Sequence, residues 1–129
     1  MTIRRPCIGV FDSGFGGLTV LKALLKLIPN ADYVYFGDTA RLPYGSKSAE
    51  TVARYAVAAA HYLEQQRAQM LVIACNTATA LALDAITAAA SVPVVSAAPL
   101  NRRARRRTAI RHSQYIRGLD LIRKVKIGR

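Results

Sequence analysis

Residues 7–28 read CIGVFDSGFGGLTVLKALLKLI and contain three successive patterns. The apolar run at 7–11 predicts a short buried strand, and the glycine-rich segment at 12–17 predicts a loop. Apolar residues then recur at helical spacing from Leu18 to Ile28, which predicts an amphipathic helix. The stretch therefore predicts one strand–loop–helix unit.

The same alternation continues along the chain. We predict further strands at 33–36, 70–74 and 92–95, and further helices at 48–67 and 78–90. Strands that alternate with helices do not pair as hairpins, and their apolar character indicates that both faces are covered. The sequence therefore predicts an α/β fold: a three-layer parallel sheet with helices on both faces, joined by right-handed crossovers.

Length and composition indicate one compact domain. The chain has 129 residues, of which 52% are hydrophobic, and this excludes two full domains and extensive disorder. Its net charge of +12 is unevenly placed, because residues 101–129 hold 11 basic and 1 acidic residue. No apolar run has the length of a membrane span, and the first is too short for a signal peptide, so we expect a soluble, cytoplasmic protein with no membrane partner.

Chemically useful side chains follow the predicted strands, where parallel sheets bind ligands. Asp12 and Ser13 offer a carboxylate and a hydroxyl that suit an ammonium group, although both also suit a helix cap. Cys75 lies between a strand and a helix, and the positive end of the helix dipole favours its thiolate as a base or nucleophile. Free cysteine is equally a common core residue, which is our interpretation of Cys7.

Two other functions deserve weighing. The glycines at 14–17, with Asp38 as a ribose ligand, are compatible with a dinucleotide site, but Thr19 occupies the third small position of that motif. The basic tail is compatible with non-specific nucleic-acid binding through phosphates, but Tyr115 is its only aromatic residue. Neither the two separated cysteines nor His61 forms a metal motif, so we predict no metal site.

Three segments together point to a known family. FDSGFGGL at 11–18, DTARLPYGSKS at 38–48 and ACNTA at 74–78 resemble the glutamate racemases of bacterial cell-wall synthesis, which belong to the aspartate/glutamate racemase superfamily and use no cofactor. The resemblance implies that residues 1–98 form the amino-terminal domain of a two-domain fold. After that point the sequence departs from the family pattern, and we expect residues 99–129 to be a basic, poorly ordered tail of a truncated chain.

The resemblance also implies roles for individual residues. Cys75 matches a catalytic cysteine that moves the α-proton of glutamate, and Asp12 matches the carboxylate that assists it. Asp12 and Ser13 match the family residues that contact the substrate amino group. The main-chain and side-chain groups that hold the substrate carboxylates in the family are matched by Tyr44, Gly45, Asn76 and Thr77. The substrate is therefore expected to be glutamate, and a homodimer is compatible with the resemblance.

Racemisation without a cofactor needs two bases on opposite faces of the α-carbon, because a single base returns the proton to the face it came from. In the family the second base is a cysteine in a second domain, followed by threonine and histidine. This chain has no cysteine after Cys75. We therefore expect this chain alone to have little or no racemase activity.

Overall fold

The computed structural model describes residues 4–97, and within them four strands form one parallel sheet. The strands are β1 (Cys7–Asp12), β2 (Asp32–Gly37), β3 (Met70–Ile73) and β4 (Val94–Ser96). The helices are α1 (Gly17–Leu27), α2 (Ala49–Gln65) and α3 (Asn76–Ala89), with 3₁₀ turns at Thr39–Arg41 and Tyr44–Ser46. The predicted α/β alternation is confirmed.

Helices cover both faces of the sheet. Successive side chains of a strand point to opposite faces, and Val10 and Phe11 of β1 accordingly belong to separate buried clusters. The Phe11 cluster includes Leu63 of α2 and Ile86 of α3, whereas the Val10 cluster includes Leu24 of α1. The predicted three layers are therefore present, with α1 on one face and α2 and α3 on the other.

The strand order β2-β1-β3-β4 creates a crevice at one edge of the sheet. The chain moves from β1 outward to β2, then returns past β1 to β3, and right-handed crossovers place the helices of these opposite moves on opposite faces. The connections that follow β1 and β3 therefore diverge, and this divergence is the usual binding position in open α/β sheets. Phe11 pairs with Ile73, so the two strands end level with each other.

Several element ends have a local explanation. Ser48 caps α2, because its Oγ accepts the backbone N–H of Thr51 at 3.1 Å. The Tyr33 hydroxyl lies within hydrogen-bond distance of the carbonyls of Leu24 and Ile28 at the end of α1, and the Leu24 carbonyl also accepts the backbone N–H of Ile28. No helix among residues 4–97 is both long enough and apolar enough to span a bilayer. The predicted domain boundary at 98 and the tail at 99–129 lie outside the described residues.

Candidate active site

Cys75 caps α3 with its thiol group. The residue is only 4% exposed, and its Sγ accepts the backbone N–H of Ala78 at 3.3 Å. The helix consequently begins at Asn76, two residues earlier than the sequence predicts, because the sulfur replaces the side-chain oxygen that usually caps a first turn. The thiol is thereby fixed at the amino end of a 14-residue helix, where the dipole favours negative charge.

Ser13 meets this thiol from the neighbouring strand end. The Cys75 Sγ donates to the Ser13 Oγ at 3.4 Å, although the two residues are 62 positions apart in sequence. They meet because β1 and β3 are adjacent and end at the same level. Ser13 is half-buried, whereas Cys75 is buried. The sequence predicted both residues, and the structure brings them together.

Asp12 holds the loop that carries Ser13. Its carboxylate is 6% exposed, and its Oδ2 accepts the backbone N–H groups of Gly14 at 3.2 Å and Gly17 at 2.9 Å. Gly17 is the first residue of α1, so this carboxylate accepts one of the N–H groups that have no partner within the helix. The same interactions fix the carboxylate at the carboxyl end of β1.

The loop is also held from β2. The Tyr35 hydroxyl donates to the Gly14 carbonyl at 2.9 Å. Gly37 packs so closely against the same carbonyl that a Cβ at position 37 would lie 2.5 Å from the oxygen. Neither contact was predicted from the sequence, although a glycine ending a strand beside a glycine-rich loop is a usable signal of close backbone approach.

The Tyr44 side chain is buried in the core. It is 2% exposed, its ring packs against Phe11 and Tyr55, and its hydroxyl donates to the Asp38 Oδ2 at 2.5 Å. Burial, followed by the Asp38 hydrogen bond, raises the pKa of Tyr44 far above its ordinary value. The phenol group is therefore committed to the core, and only the main chain at Tyr44 remains available to a ligand.

Asp38 is likewise occupied. It is 6% exposed, it accepts the Tyr44 hydroxyl, and it lies 3.8 Å from the guanidinium of Arg41, which stacks on Tyr55. The dinucleotide alternative needed this carboxylate free to bind a ribose. Its burial and its two partners remove the main support for that alternative.

The other predicted substrate ligands lie at the surface of the same edge. Gly45 and Asn76 are exposed, and Thr77 is half-buried one position further along α3. A Cβ built at Gly45 would meet no heavy atom within 4 Å, so the space beside its main chain is open. Exposed amide, hydroxyl and backbone donors at a helix amino end are suited to a carboxylate.

The sequence analysis missed one polar pair. The Oγ1 of Thr79, a residue only 5% exposed, lies 2.9 Å from the Ser96 Oγ at the end of β4. Thr79 follows Cys75 by one helical turn, so its helical position next to a candidate base was the available signal. The pair extends the polar edge of the sheet from β3 to β4.

The remaining titratable candidates lie elsewhere. Cys7 begins β1, at the opposite end of the strand from Asp12. Burial, and then the neighbouring Asp32 carboxylate, raises the pKa of its thiol. His61 is exposed on α2. Residues 4–97 contain no group of three or more His, Cys, Asp or Glu side chains placed to hold a metal ion.

Comparison with known proteins gives a consistent set of matches. The family model described as Asp/Glu/Hydantoin racemase matches residues 8–101. The glutamate racemase of Koribacter versatilis is 70% identical over 95 residues, which are 74% of this chain and 33% of that protein. The chain therefore spans about a third of the length of this curated relative.

Solved structures agree with the sequence matches. The Francisella tularensis glutamate racemase, in complex with D-glutamate, has a TM-score of 0.67 and 48% identity over 71% of this chain and 35% of its own. The Escherichia coli glutamate racemase, in complex with L-glutamate and the activator UDP-MurNAc-ala, has a TM-score of 0.71 and 36% identity over 80% of this chain and 39% of its own.

Proposed function

The chain belongs to the Asp/Glu/hydantoin racemase family, and we propose that residues 1–98 form the amino-terminal domain of a glutamate racemase and supply one half of its active site. The observation that carries this proposal is the buried Cys75 thiol, 3.4 Å from Ser13 in the crevice between β1 and β3. A proton-transfer base needs a fixed position and a stabilised anion, and capping of α3 provides both.

In the proposed reaction, the Cys75 thiolate removes the α-proton of one enantiomer of glutamate or returns a proton to the other. Asp12 is already fixed by two backbone N–H groups, and it faces the substrate ammonium and assists the thiol. Ser13 binds the same amino group. The substrate carboxylates are received by the main chain at Tyr44 and Gly45 and by the amino end of α3.

The charges of glutamate are complementary to the groups at the carboxyl ends of β1 and β3. Its two carboxylates need N–H and hydroxyl donors, and Asn76 and Thr77 are the first two residues of α3. Its ammonium group needs a carboxylate, which Asp12 provides. The proton is moved by a side chain, so the proposed chemistry calls for no organic cofactor. The D-glutamate produced would serve peptidoglycan synthesis and cell shape in the cytoplasm, with the full enzyme acting as a homodimer.

Protection of Cys75 from alkylation tests the proposal. The 129-residue chain is treated with iodoacetamide with and without glutamate, and the alkylated cysteine is identified by peptide mass spectrometry. We expect either enantiomer of glutamate to slow alkylation of Cys75, because a bound substrate covers the thiol. Lysine, which lacks the second carboxylate, should give little protection.

Cys7 provides the internal control in the same sample. It lies at the opposite end of β1, so its alkylation should not respond to glutamate. Equal alkylation of Cys75 with and without saturating glutamate, in a folded sample, would contradict the proposal. Protection by NAD instead of glutamate would restore the dinucleotide alternative.

A further inference from the structure

We propose that Tyr35 is a positioning residue of the glutamate site, and that its hydroxyl raises the affinity for glutamate by holding Gly14 and, through it, Ser13. The inference rests on the proposed function, because it takes Ser13 as a ligand of the substrate amino group. It goes beyond that function by assigning a role to a residue of β2, a strand that supplies none of the proposed substrate ligands.

The backbone of Gly14 is held on both sides. Its N–H donates to the Asp12 Oδ2 at 3.2 Å, and its carbonyl accepts the Tyr35 hydroxyl at 2.9 Å. Glycine is the residue with the least restricted backbone, so these two hydrogen bonds supply the restriction that a side chain would otherwise give. Ser13 lies between Asp12 and Gly14 in the chain, and the position of its hydroxyl therefore depends on both bonds.

Ser13 links this loop to the proposed base. Its hydroxyl lies 3.4 Å from the Cys75 sulfur, across the crevice between β1 and β3. A shift of the loop would therefore move the proposed amino-group ligand relative to the thiol. Tyr35 opposes such a shift from a fixed strand, because it pairs with Val10 in the sheet and packs against the Val10 cluster.

The Tyr35 ring also lies against the start of α1. A Cβ built at Gly17 would lie 3.1 Å from the phenol oxygen, so the hydroxyl lies close to both Gly17 and Gly14. Burial, and then the Asp12 carboxylate, raises the pKa of Tyr35. The phenol therefore keeps its proton at neutral pH and remains a donor to the Gly14 carbonyl.

Tyr33 offers a comparison on the same strand. Tyr33 and Tyr35 are two positions apart in β2, so their side chains point to the same face of the sheet. The Tyr33 hydroxyl lies 2.9 Å from the Leu24 carbonyl and 2.8 Å from the Ile28 carbonyl. Both phenols thus bond backbone carbonyls, but Tyr35 bonds the loop that carries Ser13 and Tyr33 bonds the other end of α1.

The experiment measures the glutamate concentration that halves the rate of Cys75 alkylation in the 129-residue chain and in two variants, Tyr35→Phe and Tyr33→Phe. Each variant loses one phenol hydroxyl, so circular dichroism should show similar small decreases in Tm. We expect Tyr35→Phe to raise the half-protecting concentration by about three- to tenfold, the effect of one hydrogen bond. Tyr33→Phe should change it by less than about twofold, because Tyr33 shares no partner with Ser13.

A double-mutant cycle separates the positioning of Ser13 from a general effect on the fold. In the Ser13→Ala background, Tyr35→Phe should raise the half-protecting concentration by less than about twofold, because the hydroxyl that it positions is gone. The full increase in that background, or equal increases for Tyr33→Phe and Tyr35→Phe, would overturn the inference.

The outcome for the parent chain separates this inference from the proposed function. If glutamate protects Cys75 equally well in the parent chain and in Tyr35→Phe, the inference fails and the proposed function stands. If glutamate does not protect Cys75 in the folded parent chain, the proposed function fails and the inference fails with it.

Discussion

Replacing Gly37 by alanine should damage the site through the fold, whereas the same change at Gly45 should leave the fold intact. A Cβ at position 37 would lie 2.5 Å from the Gly14 carbonyl oxygen, and a Cβ at position 45 would meet no atom within 4 Å. Gly37 is the last residue of β2, and Gly45 lies in the 3₁₀ turn at Tyr44–Ser46. The same glycine-to-alanine change therefore tests a closely packed position in one variant and an open position in the other.

The magnitude at Gly37 follows from this contact. Carbon and carbonyl oxygen normally approach to about 3.3 Å, so β2 and the Gly14 loop would have to separate by roughly 0.8 Å. Overpacking of this kind costs about 1–3 kcal/mol, and loss of the Tyr35 hydrogen bond to Gly14 adds about 1 kcal/mol. At about 4–8 °C per kcal/mol for a domain of this size, Tm should fall by roughly 10–30 °C.

Thermal unfolding followed by circular dichroism measures both variants. Gly45→Ala should change Tm by less than about 4 °C, as for an exposed substitution. In the alkylation assay, however, it should weaken glutamate protection of Cys75 by about tenfold, because the new methyl group occupies the space beside a predicted carboxylate ligand. Equal Tm values for the two variants would refute the packing argument.

Three further substitutions test the roles of a buried phenol, a loop carboxylate and a helix cap. The pKa of Tyr44 is raised in the folded chain, so above about pH 10 only the unfolded chain releases the phenol proton, and stability falls as pH rises. Tyr44→Phe should lessen this fall. Urea unfolding at several pH values measures the free energy of unfolding of both chains. Asp12→Asn keeps an oxygen acceptor for the loop, so Tm should not change, but glutamate should no longer protect Cys75 from alkylation. Retained protection would indicate that Asp12 only holds the loop and the start of α1. Ser48→Ala should lower stability by about 1 kcal/mol in urea unfolding without changing protection.

The sequence predicted the elements well because their signals are local. Apolar runs, helical spacing and the Ser48 cap all lie within single segments, and the observed bounds differ by one or two residues. The two-residue difference at the start of α3 arises because a thiol caps it. At β4 the strand begins at Val94, after Pro93, which has no backbone N–H to donate to a ladder.

The strand order and the site contacts depend on distant residues, and no segment reveals them alone. Ser13 and Cys75 were both predicted as site residues, but their contact requires β1 and β3 to be neighbours. The partnership of Asp38 with Tyr44 has no periodic signature, so each residue was interpreted separately, one as a ribose ligand and one as a substrate ligand. In the structure the Tyr44 hydroxyl donates a hydrogen bond to the Asp38 carboxylate, so the two residues are partners.

We propose that the carboxyl ends of β1 and β3 in this chain form one half of a glutamate racemase site. The most direct measurement transplants residues 8–97 into the Koribacter versatilis relative in place of its matched segment and follows glutamate racemisation by circular dichroism. We expect an active chimera whose turnover falls by about 10²–10⁴-fold on Cys75→Ser, with Tm unchanged. A folded chimera that is inactive, or one that keeps its turnover without the thiol, would contradict it.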